Sequence, residues 1–105
     1  MEEAIRAFVE GKEAQADLAV SGWMDEVSAD ELESHYATYR GKFGEARAVL
    51  VALLGEPDPT RSQAHREQLP ETLDAAVWSH GTGQLVLHLI HHDRDTPVAV
   101  QILRG

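Results

Sequence analysis

Six histidines occur in the chain, and four of them, His80, His88, His91 and His92, fall in its last third beside Asp93 and Asp95. Histidines and carboxylates in such number invite a metal centre, which needs three or four ligands converging at about 2 Å on one point. On an extended strand His88 and His92 share a face but stand about 13 Å apart at roughly 3.3 Å rise per residue, and His91 points the other way. A loop site drawn from His92, Asp93 and Asp95 lacks anything that gathers three ligands round one centre. The expectation is therefore no metal and no cofactor, with these side chains serving as turn residues, core or interface histidines, and interstrand polar pairs such as His88 with Gln101.

Nucleophilic catalysis fares no better. An activated serine requires a histidine base and an orienting acid, but Ser79 and His80 are neighbours on a strand and point to opposite faces. The segment His80-Gly81-Thr82-Gly83 has two glycines but no Gly-x-x-x-x-Gly-Lys-Ser/Thr pattern, and it leads into a strand where phosphate loops lead into a helix. It reads as a hairpin turn. Paired carboxylates working as acid and base need burial to raise one pKa, and here the acidic residues cluster on exposed helical positions. No catalytic residues are assigned, and the chain is expected not to be an enzyme.

The elements that would position these side chains follow from apolar spacing. From Glu2 to Ser21, Ile5, Phe8, Val9, Ala16, Ala19 and Val20 give a broken helical pattern interrupted at Gly11-Lys12, read as a first helix. Ser28 followed by Glu31 is a capping box. From there Leu32, Tyr36, Tyr39, Phe43, Ala46, Leu50 and Leu53 recur at spacings of four and three as one helical stripe, closed by Gly55 and Pro57. Gly41 and Gly44 inside this second helix either admit a close neighbour or mark a bend. Residues 56–70 hold three prolines and no sustained apolar spacing, and read as a linker with either a helical turn near Gln63 to Gln68 or a flap.

Beyond the linker the period changes to alternation. Ala75 to His80, Gln84 to His92 and Pro97 to Leu103 read as a three-stranded antiparallel meander. A two-residue turn at Arg94-Asp95 pairs His91 with Val98, Leu89 with Val100 and Leu87 with Ile102. That register places Leu85, Leu87, Leu89, His91, Val98, Val100 and Ile102 on a core face with Ala76 and Trp78. The other face receives Val77, Val86, His88, Ile90, Ala99, Gln101 and Leu103, too apolar for open solvent. Either the linker or the first helix covers it, or it is a self-association face that makes the chain a homodimer. The expected fold is thus α+β, two N-terminal helices packed on a three-stranded antiparallel β-meander.

At 105 residues the chain is one domain's worth, able to bury roughly 65% of its unfolded surface. No apolar run reaches the length of a membrane span, the acidic start MEEAIRAFVEG is unlike a secretory signal, and there is no cysteine, so a cytoplasmic protein is expected. The net charge of −9 is lopsided: Met1 to His35 carries ten carboxylates and two bases, whereas Tyr36 to Gly105 is nearly balanced. Such a field repels phosphate backbones and anionic lipid, which argues against nucleic-acid and membrane partners. It attracts a basic protein partner, with an on-rate that fades with salt.

The contact residues under that reading are Glu26, Asp30, Glu31 and Glu33, joined by Glu10, Glu13 and Asp17, with Trp23 as an exposed aromatic anchor. In size, acidity and absence of a catalytic constellation the chain resembles bacterial immunity or inhibitor proteins that occlude a cationic toxin or nuclease. The resemblance implies stoichiometric binding by charge complementarity. Two other readings stand beside it: a homo-oligomeric assembly subunit joined through the second sheet face, and a metal- or small-ligand-binding protein using the hairpin histidines.

Overall fold

The computed structural model describes residues 1–23, 27–93 and 95–105. Its elements run α1 (Glu2–Glu10), β1 (Gln15–Val20), α2 (Ala29–Leu54), α3 (Pro59–Gln68), β2 (Thr72–His80), β3 (Gly83–Ile90) and β4 (Ala99–Arg104). The strands form one antiparallel sheet in the order β1-β4-β3-β2. The α+β class holds, but the sheet has four strands where three were expected, and a third helix occupies the linker.

The extra strand comes out of the first expected helix. α1 stops after nine residues, where the Gly11 N–H closes back on the carbonyls of Ala7 and Phe8. The chain then extends, and β1 pairs along the outer side of β4. A bulge between Asp17 and Ala19 lets Ala16 and Ala19 face Ile102 and Val100, both in the core. Two alanines three residues apart on one face imitate helical spacing, which is why alternation is hidden in this segment. Arg104 ties the turn together: its guanidinium donates to the carbonyls of Phe8 and Glu13 and stacks over the Phe8 ring, 4.9 Å from its centre.

α2 begins and ends where the sequence places it. The Glu31 N–H donates to Ser28 Oγ at 3.2 Å, and the Gly55 N–H donates to the Val51 carbonyl from a left-handed φ of 88°. At 26 residues it is about 39 Å long. Its stripe buries Phe43, Ala46 and Leu50 against Ile5 and Phe8 of α1 and the inner sheet face. A side chain at Gly41 or Gly44 would meet open space, so neither glycine admits a close neighbour.

Within the meander, Leu89 opposes Val100 and Leu87 opposes Ile102, and the expected inner face is the core. β3 ends at Ile90, one residue short of the expected His91–Val98 pair. The His91 N–H instead donates to the Glu71 carbonyl. Asp58 caps α3 by accepting from the Arg61 N–H, with Pro59 in the first turn. α3 packs on β2 from the side opposite α1 and α2, so the β2 half of the second sheet face is covered from within the chain. No described helix is long and apolar enough to cross a membrane.

Candidate functional site

A hydrogen-bonded chain of polar side chains crosses the second sheet face. His65 of α3 lies with Nε2 at 3.0 Å from His88 Nδ1, His88 Nε2 is 2.9 Å from Gln101 Oε1, and Gln101 Nε2 donates to Asp17 Oδ1 at 2.8 Å. It links α3, β3, β4 and β1. The Asp17 carboxylate only accepts, so it sets the direction of every bond behind it. The Gln101 amide nitrogen faces Asp17, its oxygen faces His88, the His88 proton sits on Nε2, and the bare His88 Nδ1 accepts from the Nε2–H of His65.

His88 is 4% exposed. Burial holds its pKa below the ordinary histidine value; the charges of His65 and His92 push the same way, against its bond to Gln101 and the charge of Glu71. Burial also lowers His65. Both shifts disfavour the charged rings, and the bond between them needs His88 Nδ1 to be without a proton.

The other hairpin histidines are separately engaged. The Tyr36 hydroxyl lies 2.6 Å from His91 Nδ1, while His91 Nε2 lies 3.0 Å from the Thr96 carbonyl, so the hydroxyl donates to one ring nitrogen and the other donates to the carbonyl. This arrangement joins α2 to the segment between β3 and β4. His92 Nδ1 is 3.4 Å from Glu71. Ser79 accepts from Arg61 Nη1 at the exposed end of β2. Among the described residues no group of three or more His, Asp and Glu could hold a metal ion.

Of the residues expected on a self-association face, Val77, Val86, His88, Ile90 and Ala99 are buried in the single chain. Of the two readings of this face, cover by the linker is what that half has: the polar segment folds into α3 and lies on it, so these five residues are not open for self-association. Gln101 and Leu103 are half-buried and border the uncovered half, where Asp17 is exposed and Val20 is 48% exposed.

The expected partner contacts separate into two groups. Asp30, Glu31 and Glu33 are exposed at the start of α2, where Asp30 and Glu31 also favour the positive end of the helix dipole. Glu10, Glu13 and Asp17 are exposed along β1 and its approach, and Trp23, 70% exposed, follows the strand. Glu26 lies outside the described residues.

The two rims of the sheet differ. On β2 the Val77 N–H donates to Ser62 Oγ at 2.9 Å and the Val77 carbonyl accepts from the Asp58 N–H at 2.7 Å, so side chain and loop close that rim at Val77. β1 has β4 as its one neighbour. The bonds Arg104 N–H to Ala14 O and Ser21 N–H to Val98 O turn the backbone of Ala14 and Ser21 toward β4. By the alternation of an antiparallel strand, the backbone of Gln15 and Val20 then faces outward.

Sequence reasoning found the His88–Gln101 pair and missed His65, which fell in the supposed linker. The signal was present: Asp58-Pro59 is an N-cap followed by proline in the first turn. Compared with known proteins, the chain matches no family model, no curated protein and no solved structure, so geometry carries the functional reading.

Proposed function

We propose that the protein is a non-enzymatic acidic interaction module, of the inhibitor or immunity kind, that occludes a basic protein partner along β1. The observation that carries this reading is the composition of that rim. Unpaired outward backbone, the carboxylates Glu10, Glu13 and Asp17, and two large exposed apolar side chains, Val20 and Trp23, lie along one stretch of chain. An extended cationic segment can add to such a strand by main-chain hydrogen bonds, with its lysines or arginines answered by the carboxylates and an apolar residue seated on Trp23. Asp30 and Glu33 widen the acidic field and act on the encounter rate more than on the lifetime of the complex.

The test is capture of a partner from cell extract by immobilised protein, then binding kinetics with the isolated partner at about 0.01 M and about 1 M salt, where the Debye length falls from roughly 30 Å to 3 Å. The double variant Glu10→Lys, Glu13→Lys should slow association severalfold at low salt and leave the fold intact. Trp23→Ala should speed dissociation. A partner whose binding ignores both salt and charge reversal would sink the proposal.

A further inference from the structure

α3 is an odd cover for an apolar surface. Proline apart, its ten residues, PTRSQAHREQ, hold no aliphatic side chain larger than alanine, yet the helix lies on β2 beside the buried Val77. Apolar burial therefore contributes little to its docking, which rests on a few polar contacts. Its N-terminal half is fastened by the Asp58 and Ser62 bonds to Val77 and by Arg61 to Ser79. Its C-terminal half has the His65–His88 bond and a loose Arg66–Asp74 pair at 3.9 Å. A groove of about 230 Å³ already separates part of the helix from the sheet, lined by Arg61, Ala64, His65, Gln68, Val77 and Gln84.

The direction of bonding set by Asp17 makes the histidine contact sensitive to protons. A first proton goes to His65 Nδ1, which the latch does not use, and the bond survives. A second has to enter at His88 Nδ1, the atom that accepts from His65. Two N–H groups and two positive charges then face each other across a distance that is now 3.0 Å. We infer that the C-terminal half of α3 is an acid-released flap, latched to the sheet by His65 and His88 and opened when that pair takes up its second proton. Opening widens the groove beside Val77.

The charged groups that act on His88 are His65 from α3, Glu71 just before β2 and His92 beyond β3, with Asp17 reached through Gln101, while the charges of Arg61 and Arg66 on α3 are engaged by Asp58 and by Asp74 of β2. Glu71 opposes release; His92, once protonated, favours it. Both latch histidines have pKa values depressed below the ordinary 6.5 in the closed state. In the open state they return toward 6.5 and bind protons that the closed state refuses. The latch is therefore at full strength above pH 6.5 and weakens as pH falls from there through the depressed values.

Backbone amide exchange followed by NMR, corrected for the intrinsic effect of pH, tests this directly, because a released segment this short does not stay helical in water. From about pH 7.5 to about pH 5, protection of the amides of Ala64 to Gln68 should fall at least tenfold while Leu87 and Val100 stay protected. The double variant His65→Gln, His88→Gln should lose that pH response, and Asp74→Asn should keep it. Protection of α3 that does not change with pH in the wild-type protein overturns the flap. So does loss of protection at Leu87 and Val100 in step with α3, or a response that persists in the double variant.

Discussion

Two residues of α2 show how a local substitution is read against its surroundings. Gly41 and Gly44 stand in a helix interior with open space where a side chain would go. Each therefore costs conformational entropy without supplying a close contact, and Gly41→Ala or Gly44→Ala should stabilise the protein by about 0.5–1 kcal/mol, raising the thermal midpoint. Tyr36 presents the opposite case. Its hydroxyl holds His91, whose other nitrogen is already bonded to Thr96, so Tyr36→Phe leaves a half-buried ring nitrogen without its donor. The expected loss is about 1 kcal/mol in denaturant unfolding, with no change in the sheet. All three positions were visible in the sequence, the glycines as misfits inside the helix and Tyr36 as a member of its stripe. The bond to His91 was not visible, because it spans fifty-five residues and depends on how the helix crosses the hairpin.

At the scale of elements, legibility followed how cleanly one period was written. α2 carries seven apolar positions in register and a capping box, and both of its ends were readable. The β3–β4 register was readable too, since sliding it by one residue would send Leu87 and Ile102 to the wrong face. β1 was hidden by its bulge. α3 was hidden because its fold is held by caps and polar contacts in place of an apolar stripe. Ser62 is the clearest of those contacts: buried, it accepts from the Val77 N–H and donates to the Asp58 carbonyl at 2.6 Å. Ser62→Ala strands the Val77 N–H and should cost about 1–3 kcal/mol, measured as a lowered denaturant midpoint. Protection of the α3 amides should fall with it at neutral pH, separating this anchor from the histidine latch, which lets go only in acid.

For the whole molecule, the charge asymmetry of the sequence becomes spatial. Among the described residues, the carboxylates of the first third lie on α1, on β1 and its approach, and at the start of α2, while the two arginines of α3 lie near β2. Composition made that acidity legible, but not the open strand beneath part of it, because strand order is a property of the folded sheet. The unequal rims carry a consequence for assembly. Fibrils built by strand addition need two acceptor sides on every subunit, so that each newcomer offers the next a place to bind. Here Ser62 and Asp58 occupy the backbone of Val77 on one side, which makes that side a poorer acceptor than β1. Under the proposed docking along β1, an incoming strand meets an open edge at β1 and blocked backbone at Val77, so the two rims would not serve a growing sheet equally.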